Sequence, residues 1–332
     1  MANPRFQIIS DLHLETPMDS PSYSHFSNPA NFPLEAPNLL LLGDIGLVAH
    51  TQPLLIFLRS LLNRSIHLKI FYVMGNHEPY TTTLENAIAK LKDWEKLLNM
   101  EFEGRFHFLD KKRVDIDSRV TILGCTLWTH VPAEHAHDVT TTVKDFHHKT
   151  GIWDRSLDDH NADHALDLRW LNANVQTIQE EEPDREIVVL THHSPTTDPR
   201  ANSKRFPPER SLNSAFRTDL SKEKCWTSPS VKVWAFGHTH FSCQYVDAGV
   251  QVNKKGEENS WRKLVVANQK GYAYGGSQGN WTIEPVVVGR EEGLWEVVVG
   301  HKVEGEEEVS VGYKPETSVR GVLSTPVNIE RQ

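Results

Sequence analysis

The chain contains few cysteines and no long apolar run. Cys125, Cys225 and Cys243 are its three cysteines, and no two of them stand at the CxxC spacing of a thiolate zinc site. Their wide separation argues against a disulfide framework and is typical of a reducing compartment. No stretch approaches the ~18 consecutive apolar residues of a membrane span, and the first residues lack the apolar segment of a secretion signal. We therefore expect a cytoplasmic protein with no membrane partner.

Positive charge is also scarce. The 332 residues include 35 Lys and Arg against 44 Asp and Glu, which gives a net charge of -9 at pH 7. A broad nucleic-acid-binding surface needs clustered positive charge, so this balance argues against nucleic acid as a partner. Hydrophobic residues make up 38% of the chain, which is enough for a packed core and excludes wholesale disorder. Histidine, in contrast, is abundant, with 18 residues.

Apolar runs alternate with amphipathic stretches along the chain. Continuous apolar runs predict buried strands over residues 5–10, 38–43, 68–74, 186–190 and 231–236. Capping residues and helical periodicity predict helices over 51–63, 83–99 and 161–181. Further strands are predicted over 106–109, 119–128, 243–247, 264–267, 285–288 and 295–299. This alternation predicts an α/β core with a second sheet packed on the first.

Three polar segments interrupt or end this pattern. Residues 129–159 and 194–212 are predicted to form long loops, which are usually functional or disordered. The first contains five histidines, is flanked by Trp128 and includes Trp153. Each tryptophan is more often a core residue, but either could stack on a base. Residues 303–332 are polar and are predicted to form a loosely ordered tail behind a single domain of residues 1–302.

Each of the five predicted buried strands is followed by residues that can bind a metal ion. In chain order these are Asp11 and His13, Asp44, Asn76 and His77, His192 and His193, and His238 and His240. The carboxyl ends of parallel strands form the usual site of an α/β sheet. The two carboxylates, the amide and four of these six imidazoles give seven ligands, too many for one ion but suited to two that share a bridge. Oxygen and nitrogen ligands without thiolate favour Mn, Fe, Zn, Co or Mg, and a pair of such ions ~3.5–4 Å apart can promote phosphoryl transfer.

This ordered set resembles the calcineurin-like metallophosphoesterase superfamily over residues 5 to about 275. The matching motifs are Asp11-Leu12-His13, Gly43-Asp44, Gly75-Asn76-His77-Glu78, His192 and Gly237-His238-Thr239-His240. The resemblance implies an α/β fold in which two mixed β-sheets pack face to face and are flanked by helices, a four-layer α-β-β-α sandwich. It also implies a dinuclear centre of divalent metal ions (Mn, Fe, Zn or Mg).

The resemblance assigns a role to each motif residue. Asp11, His13 and His240 would hold the first metal. Asp44 would bridge the two ions, and Asn76, His192 and His238 would hold the second. His77 would face the substrate as the catalytic residue. His193 is adjacent to His192 and stays an alternative ligand at this stage. Protein phosphatases of the superfamily carry Gly-Asp-x-x-Asp, whose last Asp orients the catalytic histidine; here that position is Leu47, so the sequence does not show what orients His77.

We expect a dinuclear-metal-dependent phosphohydrolase that cleaves small phosphodiesters such as cyclic nucleotides. The protein phosphatase features are missing, and a diester carries one negative charge, so it needs fewer cationic contacts than a dianionic monoester. The alternatives are a phosphomonoesterase acting on a small metabolite or nucleotide, and a non-catalytic scaffold of this fold. The presence of all seven ligands argues against the scaffold. Arg205 and Arg210, in the loop that follows His192, are predicted substrate contacts.

Overall fold

The apolar runs of the N-terminal half form parallel strands at the centre of a six-stranded sheet. The computed structural model describes residues 3–252, 256, 258–272 and 282–300. The strands of this first sheet lie in the order β12-β11-β1-β2-β3-β4. Its parallel strands are β1 (Phe6–Ile9), β2 (Asn38–Leu42), β3 (Lys69–Val73) and β4 (Phe106–Phe108). The antiparallel strands β11 (Val286–Glu291) and β12 (Leu294–Val299) extend it beyond β1.

The second sheet repeats this plan with strands from the later part of the chain. Its six strands lie in the order β5-β6-β7-β8-β10-β9. The parallel strands are β6 (Val120–Cys125), β7 (Glu186–Thr191), β8 (Val231–Ala235) and β10 (Glu258–Ala267). The antiparallel strands β5 (Lys112–Asp115) and β9 (Cys243–Val252) form its edges.

Helices cover the outer face of each sheet. Helices α1 (Tyr23–Ser27), α2 (Thr51–Leu62) and α3 (Leu84–Glu101) enclose one apolar core against the first sheet. Helices α5 (Leu157–Glu181) and α6 (Lys224–Thr227) enclose another against the second sheet. A third core lies between the two sheets, where Leu40 and Phe71 meet Val188 and Val233. The predicted four-layer α-β-β-α sandwich is confirmed.

Several predicted boundaries are wrong, each for a local reason. Helix α5 begins at Leu157 instead of 161, because Ser156 and Asp159 form a reciprocal capping box that starts it earlier. The predicted loop over 129–159 therefore contains the first residues of α5 and also the short helix α4 (Ala136–Thr142). Strand β5 was not predicted because its sequence, KRVD, is a polar edge strand without an apolar run. The predicted tail over 303–332 lies outside the described residues, as does the predicted domain end at 302. Among the described helices, none has the length and apolarity of a bilayer span.

Candidate metal centre

The seven predicted ligands come together where the carboxyl ends of the two sets of parallel strands meet. They follow β1, β2 and β3 in the first sheet and β7 and β8 in the second. A backbone-to-side-chain contact joins the two sets directly, since the amide of His238 donates to both carboxylate oxygens of Asp11 at 3.1 and 3.0 Å. The site therefore lies at the seam between the sheets, with ligands from both.

The first cluster consists of Asp11, His13 and His240. The Nε2 atoms of His13 and His240 lie 3.0 Å apart, and His240 Nε2 lies 3.4 Å from Asp11 Oδ1. One ligand atom from each residue lies within 4.8 Å of the other two. Metal–ligand bonds of ~2.0–2.2 Å place ligand atoms at such separations, so the three residues fit one small divalent cation.

The second cluster consists of Asp44, His192 and His238, and Asn76 adjoins it. His192 Nε2 lies 3.4 Å from Asp44 Oδ1 and 3.1 Å from Asn76 Oδ1. The carboxylate and the two histidines again offer ligand atoms within 4.8 Å of one another. This arrangement fits a second cation, with the amide oxygen of Asn76 as a further ligand.

Asp44 lies between the two clusters. Its Oδ1 atom faces His192 in the second cluster at 3.4 Å, and its Oδ2 atom faces His13 in the first at 3.8 Å. The backbone amide of His77 donates to Oδ1 at 2.8 Å, which fixes the rotation of the carboxylate. The two oxygens therefore point into different clusters, an arrangement in which one carboxylate can bind both cations.

The backbone at five of the seven candidate ligands is left-handed. The φ angles are 54° at Asp11, 46° at His13, 52° at Asp44, 72° at His238 and 51° at His240. Non-glycine residues rarely adopt this conformation, and it costs about 1–3 kcal/mol each where the surroundings enforce it. Such residues concentrate at functional sites. All five of these residues lie in loops that follow strand ends.

Two glycines and a buried carboxylate allow the loops after β2 and β3 to approach closely. A Cβ atom on Gly75 would lie 2.2 Å from Asp44 Oδ1, and one on Gly43 would lie 2.4 Å from His192 Nδ1. Glu78 accepts hydrogen bonds from the backbone amides of Asp44, Ile45 and Gly75 at 2.8–3.0 Å. The glutamate of the Gly-Asn-His-Glu motif therefore fixes the loop that carries Asp44 and is itself turned away from the clusters.

The structure distinguishes His192 from His193. The Nδ1 atom of His192 lies 2.8 Å from the carbonyl oxygen of Leu42, which directs Nε2 toward Asp44. The ring of His193 instead packs against Trp128 and His238, and neither of its nitrogens has a hydrogen-bond partner among the described residues. His192 is thus the histidine that the fold brings into the cluster, and His193 fills space behind it.

A network from the His-rich segment holds the amide of Asn76. Its Nδ2 atom donates to Asp145 Oδ1 at 2.8 Å and to the hydroxyl of Tyr80 at 3.1 Å. The Tyr80 hydroxyl also donates to Asp145 at 2.7 Å. These contacts leave Oδ1 of Asn76 facing His192. The sequence analysis did not identify Asp145, because no motif marks it; its place in a polar segment beside many histidines was the available signal.

Buried charges set the protonation of the clusters. Burial would raise the pKa of Asp11, but hydrogen bonding to His240 and its charge outweigh burial and lower it to about 2. Burial lowers the pKa of His13 to about 4 and that of His238 to about 3. Burial would also lower the pKa of His192, but the adjacent charge of Asp44 raises it. Ionised carboxylates and neutral imidazoles are the forms that bind metal, and a cation would displace the proton from His192.

His77 lies beside the clusters, between two carboxylates. Its Nδ1 atom lies 3.2 Å from Glu15 Oε1, and its Nε2 atom lies 3.9 Å from Asp44 Oδ2 and 2.9 Å from the hydroxyl of Tyr272. Burial would lower the pKa of His77, but the charge of Asp44 and the hydrogen bond and charge of Glu15 raise it. Leu47 packs into the apolar core of the first sheet. The sequence analysis did not identify Glu15, since no motif of the resemblance extends to it.

The other predicted substrate contacts lie outside the clusters. Arg205 and Arg210 are exposed, and the guanidinium of Arg210 lies 5.3 Å from the ring centre of Phe206. Trp128 is buried beneath the guanidinium of Arg155, at 4.3 Å, so the expectation that it stacks on a base is wrong. Trp153 remains 44% exposed. Phe216, which was not predicted, is 37% exposed and stacks on His238 with 4.9 Å between ring centres.

Comparison with known proteins gives the family. The calcineurin-like phosphoesterase family matches residues 4–242. Uncharacterized protein L509 of Acanthamoeba polyphaga mimivirus is 26% identical over 287 residues, which cover 80% of this chain and 90% of that protein. The fold is similar to that of phosphopantetheinyl hydrolase (PptH) from Mycobacterium tuberculosis, with a TM-score of 0.51, 18% identity, and coverage of 82% of this chain and 90% of that one. GAP50 of Plasmodium aligns over 91% of this chain and 86% of its own, with 9% identity and a TM-score of 0.39. The chain therefore belongs to the calcineurin-like phosphoesterase family and is a metal-dependent phosphoesterase.

Proposed function

We propose that the protein binds two divalent cations and hydrolyses a small phosphodiester such as a cyclic nucleotide. The position of Asp44, with one oxygen toward each cluster, is the observation that carries the dinuclear part of the proposal. Asp11, His13 and His240 would hold the first cation, and Asn76, His192 and His238 the second. The cations are Mn, Fe, Zn or Mg, which all accept oxygen and imidazole ligands.

The bound cations would supply a water of lowered pKa and would neutralise charge on the phosphate. The protein residues would position the cations and the substrate and would donate the proton that the leaving group needs. His77 presents Nε2 beside Asp44 Oδ2, at 3.9 Å, and its raised pKa favours the protonated ring. A protonated Nε2 can donate to the leaving oxygen of the substrate, which is general acid catalysis.

A small diester agrees with the surroundings of the clusters. Among the described residues, the two predicted arginine contacts are exposed and lie outside the buried clusters. Neither arginine is therefore positioned to neutralise the second negative charge of a monoester. Phe216 presents a partly exposed ring that stacks on the candidate ligand His238. Stacking of a nucleic-acid base on an aromatic ring is worth about 1–3 kcal/mol, so this ring supports a nucleotide-like substrate next to the metal centre.

The substrate proposal predicts that a diester is hydrolysed at least as well as a monoester. The measurement compares kcat/KM for bis(p-nitrophenyl) phosphate, p-nitrophenyl phosphate and 3′,5′-cyclic AMP with one metal throughout. Phe216→Ala should weaken hydrolysis of the cyclic nucleotide more than that of the nitrophenyl diester. A monoester preference of about a hundredfold, ~2.7 kcal/mol of transition-state binding, would favour the phosphomonoesterase alternative.

The dinuclear proposal predicts about two metal equivalents in protein purified without chelator, because the donor set exceeds the needs of one ion. Elemental mass spectrometry measures the content. His192→Ala should lose one equivalent. His193→Phe is the matched control and should keep both, since the neighbouring ring of His193 faces Trp128 and His238. If the unaltered chain were saturated by a single metal equivalent, the proposal would be contradicted.

A further inference from the structure

We propose that Glu15 is the residue that positions His77, in place of the aspartate that is missing at Leu47. This inference rests on the proposed role of His77 in the reaction. Glu15 Oε1 lies 3.2 Å from His77 Nδ1 and 3.3 Å from His13 Nδ1. The Glu15 side chain is 8% exposed, and among the described residues its Oε2 atom has no hydrogen-bond partner. One buried oxygen therefore contacts two imidazoles, one in the first metal cluster and one beside it.

The contact determines which nitrogen of His77 faces the reaction. An ionised carboxylate only accepts hydrogen bonds, so its contact with Nδ1 places a proton on that nitrogen. The ring then directs Nε2 to the opposite side, where it meets the hydroxyl of Tyr272 at 2.9 Å and Asp44 Oδ2 at 3.9 Å.

The local chain geometry holds Glu15 in this position. Thr16 donates to the carbonyl oxygen of His13 through its backbone amide at 2.9 Å and through its hydroxyl at 2.7 Å. This turn encloses Glu15 and aims its side chain back toward the clusters. Leu47 meanwhile is half-buried against the apolar core, so an acidic residue at that position would contact apolar side chains. The positioning carboxylate thus comes from the loop after β1 instead of the loop after β2.

Kinetics of Glu15 and His77 variants test this role. With metal in excess, Glu15→Ala should lower kcat by ~10–100-fold, as loss of an orienting partner typically does, with KM little changed. The excess is needed because Glu15 also contacts the proposed ligand His13. Glu15→Gln keeps a carbonyl acceptor and should lose less. In a His77→Ala background, Glu15→Ala should add no more than about twofold, because both changes disable the same group. Glu35→Gln, an exposed glutamate before β2, is the control.

Two results, one kinetic and one of metal content, would overturn the inference. Losses that multiply in the double variant would show that Glu15 acts independently of His77. Loss of a metal equivalent in Glu15→Gln that persists with metal in excess would assign Glu15 to the metal centre. This is a real alternative because His13, Glu15 and His77 offer atoms within 4.8 Å of one another.

A spectroscopic readout separates this inference from the proposed function. In protein with ¹⁵N-labelled imidazoles, the Nδ1 resonance of His77 should report a hydrogen bond to Glu15. Glu15→Ala should shift that resonance, and Glu35→Gln should leave it unchanged. If the unaltered chain bound no metal and cleaved no ester, the proposed function would fail. The spectrum would still show whether Glu15 contacts His77. An unchanged His77 spectrum in both Glu15→Ala and Glu15→Gln would overturn it.

Discussion

Asp44→Asn is expected to lose more activity than any other single substitution in the site. The loss in kcat/KM should exceed the ~10²–10⁴-fold that a general acid contributes. Asp44 is the residue whose two oxygens face different clusters, and an amide NH₂ group in place of one oxygen would repel a cation. Asn keeps the size of the side chain and an acceptor for the His77 amide, so the change tests the bridge and not the fold.

The comparison for Asp44→Asn is His13→Ala, which removes a ligand from the first cluster alone. It should cost less activity and should leave more of the second metal in place. Asp93→Asn, whose side chain is 70% exposed in α3, controls for the change of charge. Steady-state kinetics and metal content would be measured for all three variants. Equal and mild losses for Asp44→Asn and His13→Ala would show that Asp44 does not bridge.

His77→Ala should lower kcat by ~10²–10⁴-fold, the usual contribution of a general acid, with metal content unchanged. The loss should be smaller for a nitrophenyl ester, because nitrophenolate leaves with little need of a proton. The measurement is kcat for a nitrophenyl diester and for an alkyl diester, with metal content determined on the same samples. A larger loss of kcat for the alkyl diester than for the nitrophenyl diester identifies a proton donor more directly than the size of either loss alone.

The matched control for His77→Ala is His67→Ala, an exposed histidine between α2 and β3. It should be indistinguishable from the unaltered chain in rate and in metal content. If His77→Ala loses a metal equivalent, or if its loss is the same for both leaving groups, His77 acts as a ligand or as an electrostatic contact instead of a proton donor.

The sequence predicted the strands that carry the site better than the strands at the sheet edges. Buried parallel strands such as β2, with the sequence NLLLL, are apolar on both faces, so a continuous run identifies them. Edge strands face solvent and lose that signal. The edge strand β9 (Cys243–Val252) therefore continues well beyond the predicted 243–247, and β5 has no apolar run at all.

The ligand motifs were likewise easier to predict than the residues that orient them. Asp11, Asp44 and His238 lie within three residues of their strand ends, so the order of the strands predicts where these residues meet. Glu15 contacts a residue 62 positions away, and Asp145 contacts one 69 positions away. Neither pairing leaves a spacing that can be recognised in one sequence, because loop paths determine both. The choice between His192 and His193 also needed the direction of each ring, which alternates between adjacent residues at a strand end.

The separation of His13 and His240 has a consequence for the lifetime of the folded chain. The two residues are 227 positions apart, yet their Nε2 atoms lie 3.0 Å from each other across the seam between the sheets. A cation held by both would close a loop of that length and tether one half of the protein to the other, in a chain whose three cysteines are all free. A ligand that binds only the folded form at 100 times its Kd stabilises it by about 2.7 kcal/mol. Loss of the metal would then promote unfolding and proteolysis of the protein as well as abolish its activity. The abundance of the protein would therefore depend on the metal supply.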